Sequence, residues 1–241
     1  MSPTLTIREI WRFPVKSMQG ERLTEATIDW LGITGDRQWA VLDVASGTTL
    51  TARRCPELLF VSARYHPADD DVEVVLPDGH QDLGAFLGRE VRLVRAGPGV
   101  KGTFEIAADF EAEDTSKWFS WEGPEQTFHD SGETVVSLLS KGSIGQWDLR
   151  RFRTNLIADG AGEMDLVGST LKIGSVEAVT TKAISRCVMV TRPQPDGIDR
   201  DLDVLRTINR TSEGNLGLAM QITKPGTITV GDTVEVRSSA G

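Results

Sequence analysis

The chain has 241 residues, of which 26 are Lys or Arg and 35 are Asp or Glu, a net charge of -9. That length allows one large domain or two small ones, with a core that needs no covalent staples. The acidic balance argues against a general binder of nucleic acid or anionic membrane, because such proteins use positive charge to displace counterions.

Only two cysteines occur, Cys55 and Cys187, so no disulfide framework is expected. There is no CxxC pair and no HxxxH or HExxH signature, which excludes the common zinc patterns, and four cysteines for an iron–sulfur cluster are lacking. The first residues, MSPTLTIREIWRFPVKS, hold no uninterrupted apolar core of the kind a signal peptide uses, and no stretch approaches the length of a membrane span. These features imply a cytoplasmic protein with reduced thiols.

In chain order, TLTIREIWRF begins with the alternation of a strand, and Pro14 ends it. CPELL is expected to start a short helix, with Pro56 in its first turn. DVEVVLPDG alternates Val72, Val74 and Leu76 before a Pro-Asp-Gly turn, and REVRLVRAG repeats the theme. From about Gly102 to Gln126 the chain is acid-rich and its apolar residues have no period, so it is expected to be a connection between domains. TVVSLLSKGSI is expected to be a short helix. LVGSTLKIGSVEAV and GTITVGDTVEV are rich in β-branched residues with glycines at the bends, and they are expected to be strands of one barrel. DRDLDVLRTINR places Leu202, Leu205 and Ile208 at helical spacing behind acids in the first turn. The fold class is therefore mainly β, with barrels favoured over alternating βαβ units. Trp11, Trp30 and Trp39 are expected in the core. His66, His80 and His129 lie too far apart in sequence for a triad to be read from spacing.

Basic residues gather against the overall charge. No acid occurs from Ala178 to Pro195, a window holding Lys182, Arg186, Cys187 and Arg192. Three further stretches are basic: RFPVKS (Arg12, Lys16), TARRC (Arg53, Arg54) and DLRRFRTN (Arg150, Arg151, Arg153). Brought together, they would form a cationic pocket around a thiol. Neighbouring cations favour thiolate, making Cys187 nucleophilic and metal-binding. Arg and Lys beside Ser17, Thr154, Ser185 and Asn155 would suit a phosphate group. The opposing reading is ordinary: a lone cysteine in a β-rich chain packs as a small apolar residue. That reading suits Cys55, which precedes Pro56 and an apolar run.

Five motifs fall in one order: PVKS at Pro14 to Ser17, GDR.W at Gly35 to Trp39 followed by TAR at Thr51 to Arg53, RFRTN at Arg151 to Asn155, SRC at Ser185 to Cys187, and KPGTITVGD at Lys224 to Asp232. On these the chain resembles the MOSC superfamily, in the two-domain form of the amidoxime-reducing components. The resemblance implies an N-terminal β-barrel-like domain over residues 1–118 and a MOSC barrel domain with a few short helices over 119–241. It implies molybdenum cofactor as the ligand, with Cys187 as metal ligand and catalytic centre. Lys16, Ser17 and Arg37 would hold the cofactor from the first domain. Ser140, Arg151, Arg153, Asn155, Ser185 and Arg186 would hold it from the second. Soft sulfur donors suit molybdenum, and a pocket between domains is a common placement.

The implied activity is a molybdenum-dependent oxidoreductase that reduces N-oxygenated small molecules by oxygen-atom transfer, drawing electrons from external flavin or iron–sulfur proteins. The alternative is a carrier that passes molybdenum cofactor, or sulfur as a Cys187 persulfide, to an accepting enzyme. After Cys187 the sequence departs from the family pattern: VTRPQPDG keeps Thr191, but Arg192 and Pro193 stand where valine and aspartate are usual.

Overall fold

The computed structural model describes residues 4–237 and is mainly β. Seven strands close a barrel in the order Leu156–Asp159, Val136–Ser140, Asn215–Lys224, Val176–Ser185, Thr170–Ile173, Thr233–Arg237 and Leu5–Arg12, the last returning to Leu156–Asp159. Inward-facing aliphatic residues, among them Leu5, Ile7, Leu138, Leu156, Leu171 and Leu218, fill it. Burial of each such side chain stabilises by roughly 1.5–3 kcal/mol.

One pairing positions the site. All neighbours are antiparallel except Val136–Ser140 with Leu156–Asp159, which is parallel. Parallel neighbours need a crossover. Here the helical turn Lys141–Ile144 and the 3-10 turn Leu149–Phe152 supply it. The basic motif RFRTN lies where this crossover re-enters the barrel.

The first strand closes the barrel formed by the second half of the chain. Beyond Arg12 the chain builds the smaller ladders of the other half. Trp39–Asp43 pairs with Val91–Arg95, Ser62–His66 with Asp71–Val75, and Lys101–Ala107 with Trp118–Glu125. Val15, Met18, Trp39, Val41, Cys55, Leu58 and Tyr65 form the core there.

Three expectations need correction. TVVSLLSKGSI contains the strand Val136–Ser140 before its single helical turn. All five strand residues are buried, so neither side alternates and periodicity cannot separate strand from helix. The segment from Gly102 to Gln126 is no plain connection but largely a hairpin, Lys101–Ala107 with Trp118–Glu125. Its burial is sparse, which removes the apolar period a strand search needs. Trp30 is 63% exposed, whereas Trp39 is core and Trp11 packs at the edge of a cluster.

Other elements match. The helix Leu202–Ser212 is capped by the Asp201 carboxylate and buries Val204, Leu205 and Ile208. CPELL forms the 3-10 turn Pro56–Phe60. GSTLKIGSVEAV supplies two adjacent barrel strands, and Thr233–Arg237 pairs beside Thr170–Ile173. Gly226–Thr229 instead leaves the barrel to pair with Glu25–Asp29.

Candidate functional site

A cavity of about 260 Å3 opens where the two halves meet. From the first half Lys16, Ser17, Arg37 and Arg53 line it. From the second come His129, Asp130, Arg153, Asn155, Ser185, Arg186 and Cys187. The backbone is turned sharply to present some of them. Ser17, Arg37 and Arg153 all have positive φ, at 69°, 50° and 48°. L-residues adopt that region at a cost, and such positions concentrate at functional sites.

Lys16 is buried, its Nζ donating to the Phe128 carbonyl at 2.6 Å and to Asp130 at 2.9 Å. Burial lowers its pKa to about 8, and Asp130 opposes that fall. Arg53 donates to the same carboxylate at 3.0 Å and lines the cavity together with Cys187. Desolvation pushes Arg53 down, but Cys187 and Asp130 outweigh it and hold it above the ordinary arginine value. Asp130 is opposed by desolvation, yet Lys16 and Arg53 keep it well below the usual carboxylate range. Burial and then Arg37 lower His129 to about 3, so its ring is neutral at physiological pH.

Asn155 works inside the wall. Its amide nitrogen donates to the Trp11 carbonyl at 3.2 Å and to Asp36 at 3.1 Å, while its oxygen accepts from the Ser137 backbone and hydroxyl. It thus ties the first strand and the Asp36 turn to the barrel. Ser17 is also engaged, accepting the Ala52 N–H at 2.9 Å. Arg37 ion-pairs with Asp36 and donates to the Arg153 carbonyl at 3.0 Å.

Arg186 donates to the carbonyls of Leu216, at 2.7 Å, and Phe152, at 3.0 Å. Gly217 makes room for it. With φ of 80°, a Cβ there would stand 2.9 Å from Arg186 Nη2 and from the Leu138 carbonyl. Burial lowers both Arg186 and Arg153, and Cys187 partly offsets this at Arg186. Four enclosed nitrogens on the cavity walls have no hydrogen-bond partner: Arg53 Nε, His129 Nε2, Arg153 Nη2 and Arg186 Nη2. Unmet donors beside uncompensated guanidinium charge fit an anionic ligand.

Cys187 is half-buried at the start of the 3-10 turn Val188–Thr191. Cys55, by contrast, is buried in the core of the first half, where burial and then Glu57 push its thiol up to about 12.

Two expected residues lie outside the cavity wall. Ser140 caps the turn Lys141–Ile144 and hydrogen-bonds the buried Glu163. Arg151 points away and donates to the carbonyls of Val190, Arg192 and Asp199, clamping the loop that follows Cys187. Arg192 is likewise structural, bonded to the Arg53 carbonyl and Glu113, each at 2.7 Å. Sequence reasoning missed His129 and Asp130. Asp130 finds its partners 114 and 77 residues away, so local spacing carried no signal.

The MOSC N-terminal beta barrel domain matches residues 4–121 and the MOSC domain matches residues 125–235. The chain belongs to the MOSC family. It is 24% identical to mouse mitochondrial amidoxime-reducing component 1, covering 95% of this chain and 81% of that protein. It is also 24% identical to the molybdenum cofactor sulfurase of Drosophila willistoni over 90% of this chain, but spans only 30% of that protein. Among solved structures, the YuaD protein of Bacillus subtilis aligns over 98% of this chain and 96% of its own, at 12% identity and a TM-score of 0.48.

Proposed function

We propose that the cavity binds molybdenum cofactor and that the protein is an oxidoreductase reducing N-oxygenated small molecules. The observation that carries this reading is the set of unpartnered nitrogens on Arg53, Arg153 and Arg186 in a cavity that also holds the free Cys187 thiol. Among the described residues no cluster of three His, Cys, Asp or Glu is placed to hold a metal ion. A metal at Cys187 would therefore take its other ligands from an organic cofactor. Bound there, molybdenum cofactor would supply a redox metal suited to oxygen-atom transfer.

The residues divide the work. Cys187 would supply one sulfur ligand, with Arg53 lining the same cavity. Arg153 and Arg186 take the cofactor's phosphate, their unpartnered Nη2 donors finding oxygens. Phe152, Met189 and Val190 give an apolar face that limits water. Reduction of N–OH to N–H releases water and consumes two protons. Lys16, its pKa lowered by burial to about 8 and its Nζ held by Asp130, keeps an exchangeable proton in the wall. External redox proteins supply the electrons.

The half-exposed Cys187 also supports a second reading, transfer of cofactor or persulfide sulfur to another enzyme. The test is metal analysis of protein made in a host that synthesises the cofactor. Wild type is expected to carry molybdenum and Cys187→Ala to lose it, while both fold. Metal-free wild type, or equal loading of both, overturns the reading. With metal present, turnover of a hydroxylamine by an artificial reductant supports the enzyme, and persulfide trapped on Cys187 without turnover supports the carrier.

A further inference from the structure

Arg192 stands where valine is usual in the family pattern. One of its nitrogens, Nη2, donates to the Arg53 carbonyl and to the Glu113 carboxylate, each at 2.7 Å. A valine could make neither bond. Arg53 lines the first-half side of the main cavity, while Cys187, Met189 and Val190 line the barrel side. Arg192 therefore reaches from one wall to the backbone of the other.

The turn between Cys187 and Arg192 couples the two residues. The Val190 N–H donates to the Cys187 carbonyl and the Arg192 N–H to the Met189 carbonyl, both at 3.2 Å. Arg151 holds the Val190 and Arg192 carbonyls at 3.3 Å. Glu113 is fixed as well. It lies in the turn, residues 108–117, that joins Lys101–Ala107 to Trp118–Glu125, and its carbonyl accepts the Trp118 indole N–H at 3.3 Å. In the same turn Phe110 packs against the second-half cluster that contains Val190 and Leu205, and Glu111 pairs with Arg206 at 2.8 Å.

The two ion pairs differ in setting. The side chains of Arg206 and Glu111 are 48% and 44% exposed, and such a pair contributes little. Those of Arg192 and Glu113 are 11% and 12% exposed. Salt screens an enclosed pair weakly, and parting it leaves a carboxylate without its cation.

We propose that Arg192 and Glu113 form a clasp that holds the two walls of the cavity together at the Cys187 turn. Arg192 does not line the cavity, so it is a positioning residue that acts by fixing the Cys187 turn against Arg53. With the clasp made, a small molecule reaches the half-buried thiol and a bulky one does not. Parting the clasp widens the cavity. The device belongs to the walls alone, so it stands whether or not molybdenum binds.

N-methylmaleimide and N-pyrenylmaleimide are the probes, alike in chemistry and different in bulk. They are reacted with full-length protein made in a host without molybdenum cofactor, which leaves the thiol free. Modification of Cys187 and Cys55 is timed by peptide mass spectrometry. Arg192→Val should speed N-pyrenylmaleimide at Cys187 about tenfold, the loss of one hydrogen bond to a charged group. N-methylmaleimide should react as with wild type. Glu113→Gln, which keeps the shape and an acceptor but not the charge, should give a smaller rise. The double variant should exceed Arg192→Val by nothing, because the two residues act as one unit. Arg206→Gln, at the exposed pair, should react like wild type. Cys55, in the core of the first half, reports general unfolding and should keep its wild-type rate in every variant. The proposal is overturned if Arg192→Val leaves the N-pyrenylmaleimide rate unchanged or if both reagents quicken alike. It is also overturned if Cys55 quickens with Cys187, since the pair would then support the whole fold rather than the cavity. An effect of Arg206→Gln equal to that of Arg192→Val overturns it too, because the closure would then not lie in Arg192.

Discussion

The two walls of the main cavity carry charge of one sign but treat it differently. On the first-half side, Lys16 and Arg53 share Asp130, and Arg37 leans on Asp36. On the barrel side, Arg186 and Arg153 meet only backbone carbonyls. A carboxylate offsets the desolvation of a buried cation within the protein itself, whereas a carbonyl does so only in part. The first wall is thus close to complete without ligand. The second is left short of negative charge, and an anion would make up the difference. The comparison locates the demand for a ligand on the side that also carries Cys187.

The largest expected effect tests how far Asp130 compensates Lys16. Burial brings Lys16 to about 8 from 10.5 despite its partner. Between those values the unfolded chain binds more protons than the folded one, so Lys16 makes stability rise with pH from 8 to 10.5. The full excursion is about 3 kcal/mol. Urea unfolding of wild type and Lys16→Met across this window should show it as a difference, since other groups titrate in both. Parallel curves would mean that Lys16 is fully compensated and that the walls differ more than described.

Next is Asp130→Asn. It leaves Lys16 and Arg53 without their shared carboxylate and should lower ligand-free stability by about 1–2 kcal/mol, the lower half of the range for broken ion pairs because Asp130 is half exposed. It should also move the lower edge of the Lys16 window below pH 8, because Asp130 raises Lys16. An unchanged edge in the same urea series would mean that Asp130 does not compensate Lys16 on the first wall.

The two walls also differ in how far they could be read from sequence. Cys187 and Arg186, singled out by the acid-free window and a motif, and Lys16, singled out by a basic stretch and a motif, do line the cavity. The helix Leu202–Ser212 was legible because its apolar stripe and its Asp201 cap agreed. Arg151 and Arg153 could not be told apart. They stand two residues apart in one motif, and only the 3-10 turn followed by a left-handed Arg153 sends one to the loop carbonyls and the other to the cavity. Ser140 was misread along with its strand: buried on both faces, the strand shows no alternation, and its last residue serves as a cap. His129 and Asp130 were missed because their meaning lies in partners brought by the fold.

The smallest expected effect has the opposite sign. Arg186→Met replaces a guanidinium lacking any carboxylate with a flexible apolar chain that fits the same space. The change frees the Leu216 and Phe152 carbonyls, which costs stability, but it removes a cation that burial disfavours. Replacing buried charge by apolar volume is often neutral or stabilising. Ligand-free Arg186→Met should therefore be as stable as wild type or more stable by about 1 kcal/mol, while losing molybdenum when made in a cofactor-producing host. Stability bought this way at the expense of binding is the mark of a residue kept for its ligand. A loss of stability equal to that of Asp130→Asn would show that carbonyls alone satisfy Arg186, and the asymmetry between the walls would disappear.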